Sequence, residues 1–186
     1  RAIRKEDIDK IIGLDLSGKR DLDYARDLFL FSFYLRGISF VDVAYLKEKD
    51  IVGGRVYYTR RKTGQKFSIK ITEKAWDIIK KYNNLGDPEM FVFPIIKHED
   101  NEFLDYRNAI RLLNKKLKKI SKQAELPEPI STYTARHSWA TIAKRSGIPT
   151  AVISEGLGHD SEETTQIYLD SFENDVLDKA NELITG

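Results

Sequence analysis

The sequence predicts a mainly helical α+β fold in which a small antiparallel β-sheet interrupts a series of amphipathic helices. Most of the 186 residues lie in segments whose apolar side chains recur at helical spacing. Residues 51–72 instead alternate in a β-rich pattern around two short turns. The sequence has neither internal repeats nor a linker-like stretch, and its length fits one domain with its own core. We therefore expect a single domain over residues 1–186.

The first strongly apolar segment, residues 20–36, predicts a helix that Gly37 ends. Arg36 is expected at the C-terminal end of this helix, where the helix dipole favours a cation. For Arg36 considered alone, this dipole interaction is a better explanation than a function. Ser39 is a natural N-cap for a short helix over residues 40–46.

Residues 51–72 predict the sheet. Gly53 and Gly54 form its first tight turn, and the sequence Lys62-Thr63-Gly64-Gln65 forms the tip of a hairpin. A lysine at a hairpin tip is usually only solvated. Lys62 therefore gains a function only if the hairpin lies over a substrate.

Thr72 is the expected N-cap of a helix over residues 73–83, and a loop with two prolines follows over residues 85–94. Residues 103–124 predict a long basic helix. Its predicted core-facing stripe consists of Ile110, Leu112, Leu113, Leu117 and Ile120. The opposite face carries Lys115, Lys116, Lys118 and Lys119, which either contact a DNA backbone or are only solvated.

Four shorter elements complete the chain. Thr132 or Thr134 is expected to cap a helix that ends near Gly147, and a short helix after Thr150 ends at the sequence Gly156-Leu157-Gly158. Ser161 is expected to cap a helix that carries Tyr168. Residues 175–184 predict a final amphipathic helix.

Composition limits the class of protein. The chain has no cysteine, which excludes disulfides and thiolate metal sites and fits a reducing cytoplasm. It contains neither a run long and apolar enough to span a bilayer nor a signal-peptide pattern. Because it begins with Arg1 rather than Met, we expect a piece of a longer protein.

The net charge is only +2, but its distribution is uneven. Residues 55–81 hold nine lysines and arginines against two acids, and residues 107–122 hold seven and no acid. Residues 155–178 hold eight acids and no lysine or arginine. This segregation indicates either a basic surface for a polyanion or two solvated helix faces.

The residue types match the needs of covalent phosphodiester cleavage, which requires a nucleophile, cations for the developing charge and a proton donor. Arginine can hold two phosphate oxygens, and lysine can release a proton to a leaving oxygen. A tyrosine phenol attacks only when a base or a strongly cationic site assists it.

Nearly the whole chain resembles the catalytic domain of the tyrosine recombinases, the phage integrase family. The sequence LRGISFVDVAYLK resembles the segment with the first catalytic arginine, here Arg36, and RRKTGQ resembles the hairpin with the catalytic lysine, here Lys62. TARHSWAT resembles the box with the second arginine, here Arg136. LGHDSEETTQIY resembles the box with His159 and the nucleophile Tyr168, whose nine-residue spacing is the most specific signal.

The resemblance implies site-specific DNA recombination or integration by an enzyme that breaks and rejoins DNA, the integrase of a phage or mobile element, and that needs no metal, ATP or other cofactor. Arg36, Arg136 and His159 would hold the scissile phosphate, and Tyr168 would form a 3′-phosphotyrosine bond. Lys62 would protonate the 5′-oxygen that leaves. Arg60 and Arg61 beside Lys62, together with the four lysines of the long helix, are the expected contacts to double-stranded DNA.

One position departs from the family. Three residues before its second arginine the family usually has histidine, and here that residue is Tyr133. A phenol donates a hydrogen bond but is a poor base near neutral pH. His137, one helical turn away, either assists it or is a packed structural histidine.

The resemblance also sets expectations for the whole protein. The family's N-terminal core-binding domain is missing from these residues, so we expect this domain to bind DNA weakly and to stay monomeric. The full-length protein would form a tetramer on DNA in the bacterial cytoplasm, associated with the nucleoid. The alternatives are a type IB-like topoisomerase, a DNA-binding protein of the same fold with impaired catalysis, and a helical interaction module.

Overall fold

The computed structural model describes residues 2–159, 161–169 and 174–185. Within these ranges, the side chains of residues 99, 167, 168 and 174–177 lie outside the description. The described part folds into nine α-helices, two short 3-10 helices and one three-stranded antiparallel sheet. The predicted mainly helical fold with a small antiparallel sheet is thereby confirmed.

The predicted elements occur in the predicted order, and they are preceded by a helix over residues 5–12, which was not predicted. The helices are α1 (Lys5–Ile12), α2 (Arg20–Tyr34), α3 (Phe40–Ala44), α4 (Glu73–Tyr82), α5 (Glu102–Gln123), α6 (Thr134–Arg145), α7 (Thr150–Leu157), α8 (Glu162–Tyr168) and α9 (Asn174–Thr185). The strands are β1 (Ile51–Val52), β2 (Arg55–Thr59) and β3 (Lys66–Lys70), and the 3-10 helices are Glu48–Asp50 and Glu99–Asn101. None of the helices in the described ranges is long and apolar enough to cross a lipid bilayer.

Helix α2 is the central element, because α4, α5 and α6 all pack against it. Its Phe29 and Phe31 are fully buried, and the Phe31 ring meets the Phe93 ring edge to face at 4.8 Å between centroids. Leu117 and Ile120 of α5 are also fully buried. The predicted helical stripes of α2, α4 and α5 thus form the main core.

The predicted stripe of α5 is wrong at one residue. Leu112 is 46% exposed, whereas its neighbour Leu113 is buried. Adjacent residues of a helix lie about 100° apart around its axis, and here Leu113 faces the core while Leu112 lies toward solvent. Leu112 instead lines a groove between α2 and α5.

The end of α2 also differs from the prediction. The helix ends at Tyr34, and Arg36 follows it in a left-handed turn with φ +57°, next to Gly37 with φ +69°. The Gly37 N–H donates to the Ser32 carbonyl at 2.9 Å and closes the helix end. Arg36 therefore lies on a turn that leaves the helix rather than on the helix itself. The next helix, α3, ends at Ala44, two residues earlier than predicted.

The sheet has the order β1-β2-β3, with Tyr57 opposite Ser68 in the antiparallel register of β2 and β3. Val56, Phe67 and Ile69 point into the core and are buried, and the alternating residues lie on the other face. Residues 60–65 form the loop between these two strands. The predicted hairpin tip is thus held at the end of a sheet that packs on the core.

The start of α6 corrects the predicted cap. The N-cap is Tyr133, and Thr134 is the first helical residue. The Thr134 hydroxyl accepts a hydrogen bond from the Ser131 N–H at 3.0 Å, so it stabilises the turn from inside the helix. The predicted caps Thr72 and Ser161 are confirmed, because each side chain accepts from an N–H of its helix.

Candidate active site

The Arg36 turn packs directly on helix α6 at Arg136. A Cβ placed on Gly37 would lie 2.5 Å from the Arg136 Cα, so only glycine allows this approach. The Gly37 carbonyl accepts a hydrogen bond from Nη1 of Arg136 at 3.1 Å. The two arginines predicted from the sequence are therefore brought to one place by backbone contact.

Arg136 is buried, with 3% of its surface exposed. Its Nη2 donates to the Leu157 carbonyl at the end of α7, so this guanidinium joins the α2 turn to α7. Burial and the nearby Arg60 guanidinium both disfavour its charge and lower the pKa of Arg136 to about 10. The side chain thus stays a cation at neutral pH, in a place where a cation is costly.

Arg60 is the second buried guanidinium at this point, with 8% of its surface exposed. Its Nη1 lies 3.3 Å from the Gly158 carbonyl and 3.5 Å from the Leu157 carbonyl. The sequence predicts Arg60 as a DNA contact, but the structure places its guanidinium on these carbonyls. Arg60 therefore ties the start of the β2–β3 loop to the end of α7.

The pKa of Tyr58 on β2 is influenced by three arginines of the site. Burial, assisted by the nearby Asp42 carboxylate, raises the pKa of the Tyr58 phenol. Arg136, Arg60 and Arg36 all act against that rise. Three cations from three different segments thus lie within electrostatic reach of one phenol.

Asp42 on α3 fixes the other side of the β2–β3 loop. This buried carboxylate accepts from the Arg61 N–H at 2.9 Å and from the Ser39 hydroxyl. The Arg61 guanidinium lies 3.8 Å from the centre of the Tyr45 ring, a cation–π contact. The loop is therefore anchored on both sides before it reaches Lys62.

Lys62 is exposed in this loop. The following strand returns against Gly158, where an added Cβ would overlap the Phe67 ring. Gly158 has φ +65°, which ends α7 and allows this close packing. The loop with Lys62 and the turn before His159 are thus packed against each other.

His159 follows this turn and is half-buried. Its N–H donates to the Ser154 carbonyl at 3.0 Å, and its Nδ1 lies 2.8 Å from the buried Thr165 hydroxyl. These contacts fix the plane of the imidazole. Tyr168 is the last residue of α8, but its side chain lies outside the described residues.

Tyr133 lies at the first turn of α6, three residues before Arg136, and is 48% exposed. Its ring meets the His137 ring edge to face at 4.7 Å between centroids. His137 is half-buried, so it is neither a fully buried core histidine nor a fully solvated one. The Tyr133 and His137 rings therefore contact each other on the helix that carries Arg136.

The lysines of α5 lie on two sides of the helix. Lys115, Lys118 and Lys119 are exposed, whereas the Lys116 ammonium lies 3.8 Å from the Asp21 carboxylate. Asn114, next to Lys115, accepts from the Thr132 N–H at 2.9 Å. This part of α5 therefore lies beside the loop that leads to Tyr133 and Arg136.

Sequence reasoning did not identify Asp42, Tyr58 or Thr165 as parts of the site. Thr165 lies six residues after His159 in the same motif, and this spacing is the one available signal. Asp42 and Tyr58 carry no such signal, because their positions depend on how the sheet packs on α3.

Comparison with known proteins shows the family of this chain. The sequence profile of the Phage integrase family matches residues 1–175. A tyrosine recombinase of Thermosipho africanus is 31% identical over 115 residues, which cover 62% of this chain and 38% of that protein. Tyrosine recombinase XerA of Pyrococcus furiosus is 28% identical over 172 residues, covering 90% of this chain and 56% of that protein.

Solved structures share the fold. XerA recombinase superposes with a TM-score of 0.69 and 17% identity, over 98% of this chain and 64% of that one. XerH bound to a palindromic difH substrate, in a post-cleavage complex, gives the same TM-score and identity over 100% of this chain and 53% of that one. The chain spans about half the length of the relatives it matches.

The packing of Gly37 on Arg136 predicts a large stability effect. We expect Gly37→Ala to lower the free energy of unfolding by about 2 kcal/mol more than Gly18→Ala does, because the new methyl group overlaps Arg136. Gly18 is the matched control, since its φ is +74° and nothing lies within 4 Å of an added Cβ. Urea denaturation measures both, and equal losses would contradict the proposed close packing.

Proposed function

The chain belongs to the phage integrase family, and we propose that it is the catalytic domain of a tyrosine-type site-specific DNA recombinase. The observation that carries this proposal is the meeting of Arg36, Arg60 and Arg136 at one place. The Arg36 turn packs on Arg136 through Gly37, and Arg136 and Arg60 both lie on the Leu157 carbonyl. Such a group of cations, two of them buried, favours binding of an anion with several oxygens. A DNA phosphate is the anion that the family relationship indicates.

We assign phosphate binding to Arg36 and Arg136. The lowered pKa of Arg136 means that its charge is incompletely compensated in the protein alone. A bound phosphodiester would supply the missing negative charge and would raise that pKa again. The same cations then stabilise the extra charge of the five-coordinate transition state.

The reaction proceeds by exchange of one phosphate ester for another. The Tyr168 phenol loses its proton to solvent water and its oxygen attacks phosphorus, while the bond from phosphorus to the 5′-oxygen breaks. Lys62 gives a proton to that oxygen, which leaves as a 5′-hydroxyl. A 5′-hydroxyl of a partner strand reverses these steps and releases Tyr168, so no energy source is consumed.

Tyr133 and His159 complete the proposed site as hydrogen-bond donors to the phosphate oxygens. Tyr133 lies three residues before Arg136 and is exposed, and the His159 ring is oriented by Thr165. A neutral phenol at position 133 donates a hydrogen bond without acting as a base. The structure therefore supports a donor role better than proton abstraction.

For the whole protein we propose an additional N-terminal DNA-binding domain, a tetramer on two duplexes, and action on double-stranded DNA at the nucleoid of a bacterial cytoplasm. The support is the length of the relatives, which exceeds that of this chain. Leu183 and Ile184 of α9 are 86% and 83% exposed, as expected for a segment that packs on a neighbouring subunit.

The nucleophile is tested with Tyr168→Phe in the full-length protein. On nicked DNA that carries its recombination site, the wild type should form a covalent adduct, and the variant should form none because it lacks the attacking oxygen. Gel electrophoresis under denaturing conditions detects the adduct. Tyr106→Phe, which removes a phenol hydroxyl elsewhere, should leave it unchanged.

An adduct that survives Tyr168→Phe would remove Tyr168 as the nucleophile. DNA binding without any adduct in the wild type would favour the impaired DNA-binding protein. Relaxation of supercoils without strand exchange would favour the topoisomerase.

The role of Lys62 is tested by changing the leaving group. We expect Lys62→Ala to slow adduct formation by at least about 100-fold on ordinary DNA, because the 5′-oxygen needs a proton to leave. Sulfur in place of that oxygen leaves as a thiolate without a proton, so the variant should cleave this substrate at nearly the wild-type rate. A variant that stays slow on both substrates would contradict the proton-donor role.

The role of Tyr133 is tested with two substitutions. Tyr133→Phe keeps the ring contact with His137 but removes the hydroxyl, and we expect single-turnover cleavage to fall by about tenfold or more. Tyr133→His restores a donor at the position where the family usually has histidine and should cleave at least as fast as the wild type. Unchanged cleavage by Tyr133→Phe would reduce Tyr133 to a structural residue.

A further inference from the structure

The outward face of the β-sheet is a second basic surface, separate from the buried arginines. It consists of alternating residues of the two longer strands: Arg55, Tyr57 and Thr59 from β2, and Lys66, Ser68 and Lys70 from β3. They form three cross-strand pairs, Arg55 with Lys70, Tyr57 with Ser68 and Thr59 with Lys66. We call these six residues the sheet face.

The chemistry of the sheet face is that of a surface for a polyanion. It holds three cations, one aromatic ring and two hydroxyls, and no carboxylate. Tyr57 is 45% exposed at its centre, and both lysines are exposed. Cations that flank an aromatic ring and hydroxyls match a sugar–phosphate backbone, which offers charged oxygens and sugar carbons.

Arg55 is held in place on this face. Its Nε donates to the Ser68 hydroxyl at 2.8 Å, and its Nη2 donates to the Ser68 carbonyl at 3.0 Å. A guanidinium has five N–H donors, so these two bonds leave others for a bound group. Because the side chain is already ordered, binding through it costs less conformational entropy.

The position of the sheet face relates it to the proposed active site. Strand β2 ends at Thr59 and strand β3 begins at Lys66, so this pair lies next to the loop that carries Lys62. Arg55 and Lys70 lie four residues further along their strands, which corresponds to about 13 Å. Along duplex DNA that distance spans about four base pairs.

We propose that the sheet face binds the sugar–phosphate backbone of double-stranded DNA within about four base pairs of the cleaved phosphate. The proposal rests on the proposed function, since it takes Lys62 to lie at that phosphate. The sheet face then extends the contact beyond the loop, and its cations fix where along the duplex the loop sits.

A different explanation covers only part of the sheet face. Strand β3 is an edge of the sheet, and lysines on edge strands prevent unwanted strand pairing. Arg55 lies on the central strand β2, opposite Val52 of β1, where this explanation does not apply. Glutamate protects an edge as well as lysine does, so charge reversal separates the two explanations.

The test compares two double variants of the full-length protein. Lys66→Glu with Lys70→Glu reverses the charge of the sheet face, and Lys80→Glu with Lys97→Glu makes the same charge change at exposed lysines outside the sheet. The probes are nicked duplexes that carry the recombination site. On the side of the cleaved phosphate where Lys62 and the sheet face lie, the DNA is either about ten base pairs long or trimmed to about two base pairs. The trimmed DNA is shorter than the span of about four base pairs that the sheet face would cover. Dissociation constants are measured over a series of salt concentrations, and circular dichroism verifies folding.

On the long duplex, the sheet-face variant should bind at least about tenfold more weakly than the control variant, with a salt dependence lower by about two counterions. Trimming should weaken the wild type and the control, but should change the sheet-face variant little. If the sheet-face and control variants respond alike to trimming, the inference is wrong even though the wild type cleaves. A wild type that neither binds nor cleaves this DNA overturns the proposed function as well.

Discussion

The buried guanidinium of Arg136 is the interaction on which the site depends. It donates to the carbonyls of Gly37 and Leu157 and so joins two segments that are 120 residues apart in the chain. Burial normally disfavours a cation, and here a second cation lies beside it. The carbonyls at the C-terminal end of α7 offset part of that cost, because a helix end of this polarity attracts positive charge.

Three other parts of the site are also fixed through backbone groups. Arg60 donates to carbonyls, Asp42 accepts from a backbone N–H, and Gly37 contacts a backbone Cα. Backbone partners depend little on the side chains around them. Carboxylate partners would neutralise the arginines and would compete with a phosphate, whereas carbonyls orient the guanidiniums and leave their charge uncancelled.

The sequence predicts the elements well, because most are defined by local signals. Thr72 and Ser161 cap their helices, and Gly37 and Gly158 end theirs. The turn at Arg36 shows where local signals fail. A left-handed arginine is unfavourable alone and is maintained by the packing of Gly37 on Arg136, which is a tertiary contact.

The site is less predictable than the fold for the same reason. Arg60 stands beside Arg61 and Lys62 in a polar hairpin sequence, and nothing local distinguishes the buried member of this group from the exposed ones. Its burial follows from the approach of β3 to Gly158. The family resemblance selects Arg36, Lys62, Arg136, His159 and Tyr168, but it does not reveal which groups hold them.

The domain has two kinds of cation, which differ in whether they are exposed or buried. Salt screens exposed lysines over a Debye length of about 8 Å at physiological ionic strength, whereas buried charges are screened much less. The exposed cations of the sheet face and α5 are therefore suited to salt-dependent attraction of DNA. The charge of buried Arg136 persists once DNA is bound. A domain with only surface cations would bind DNA without stabilising a transition state. One with only buried cations would capture its substrate slowly, because long-range attraction arises from exposed charge.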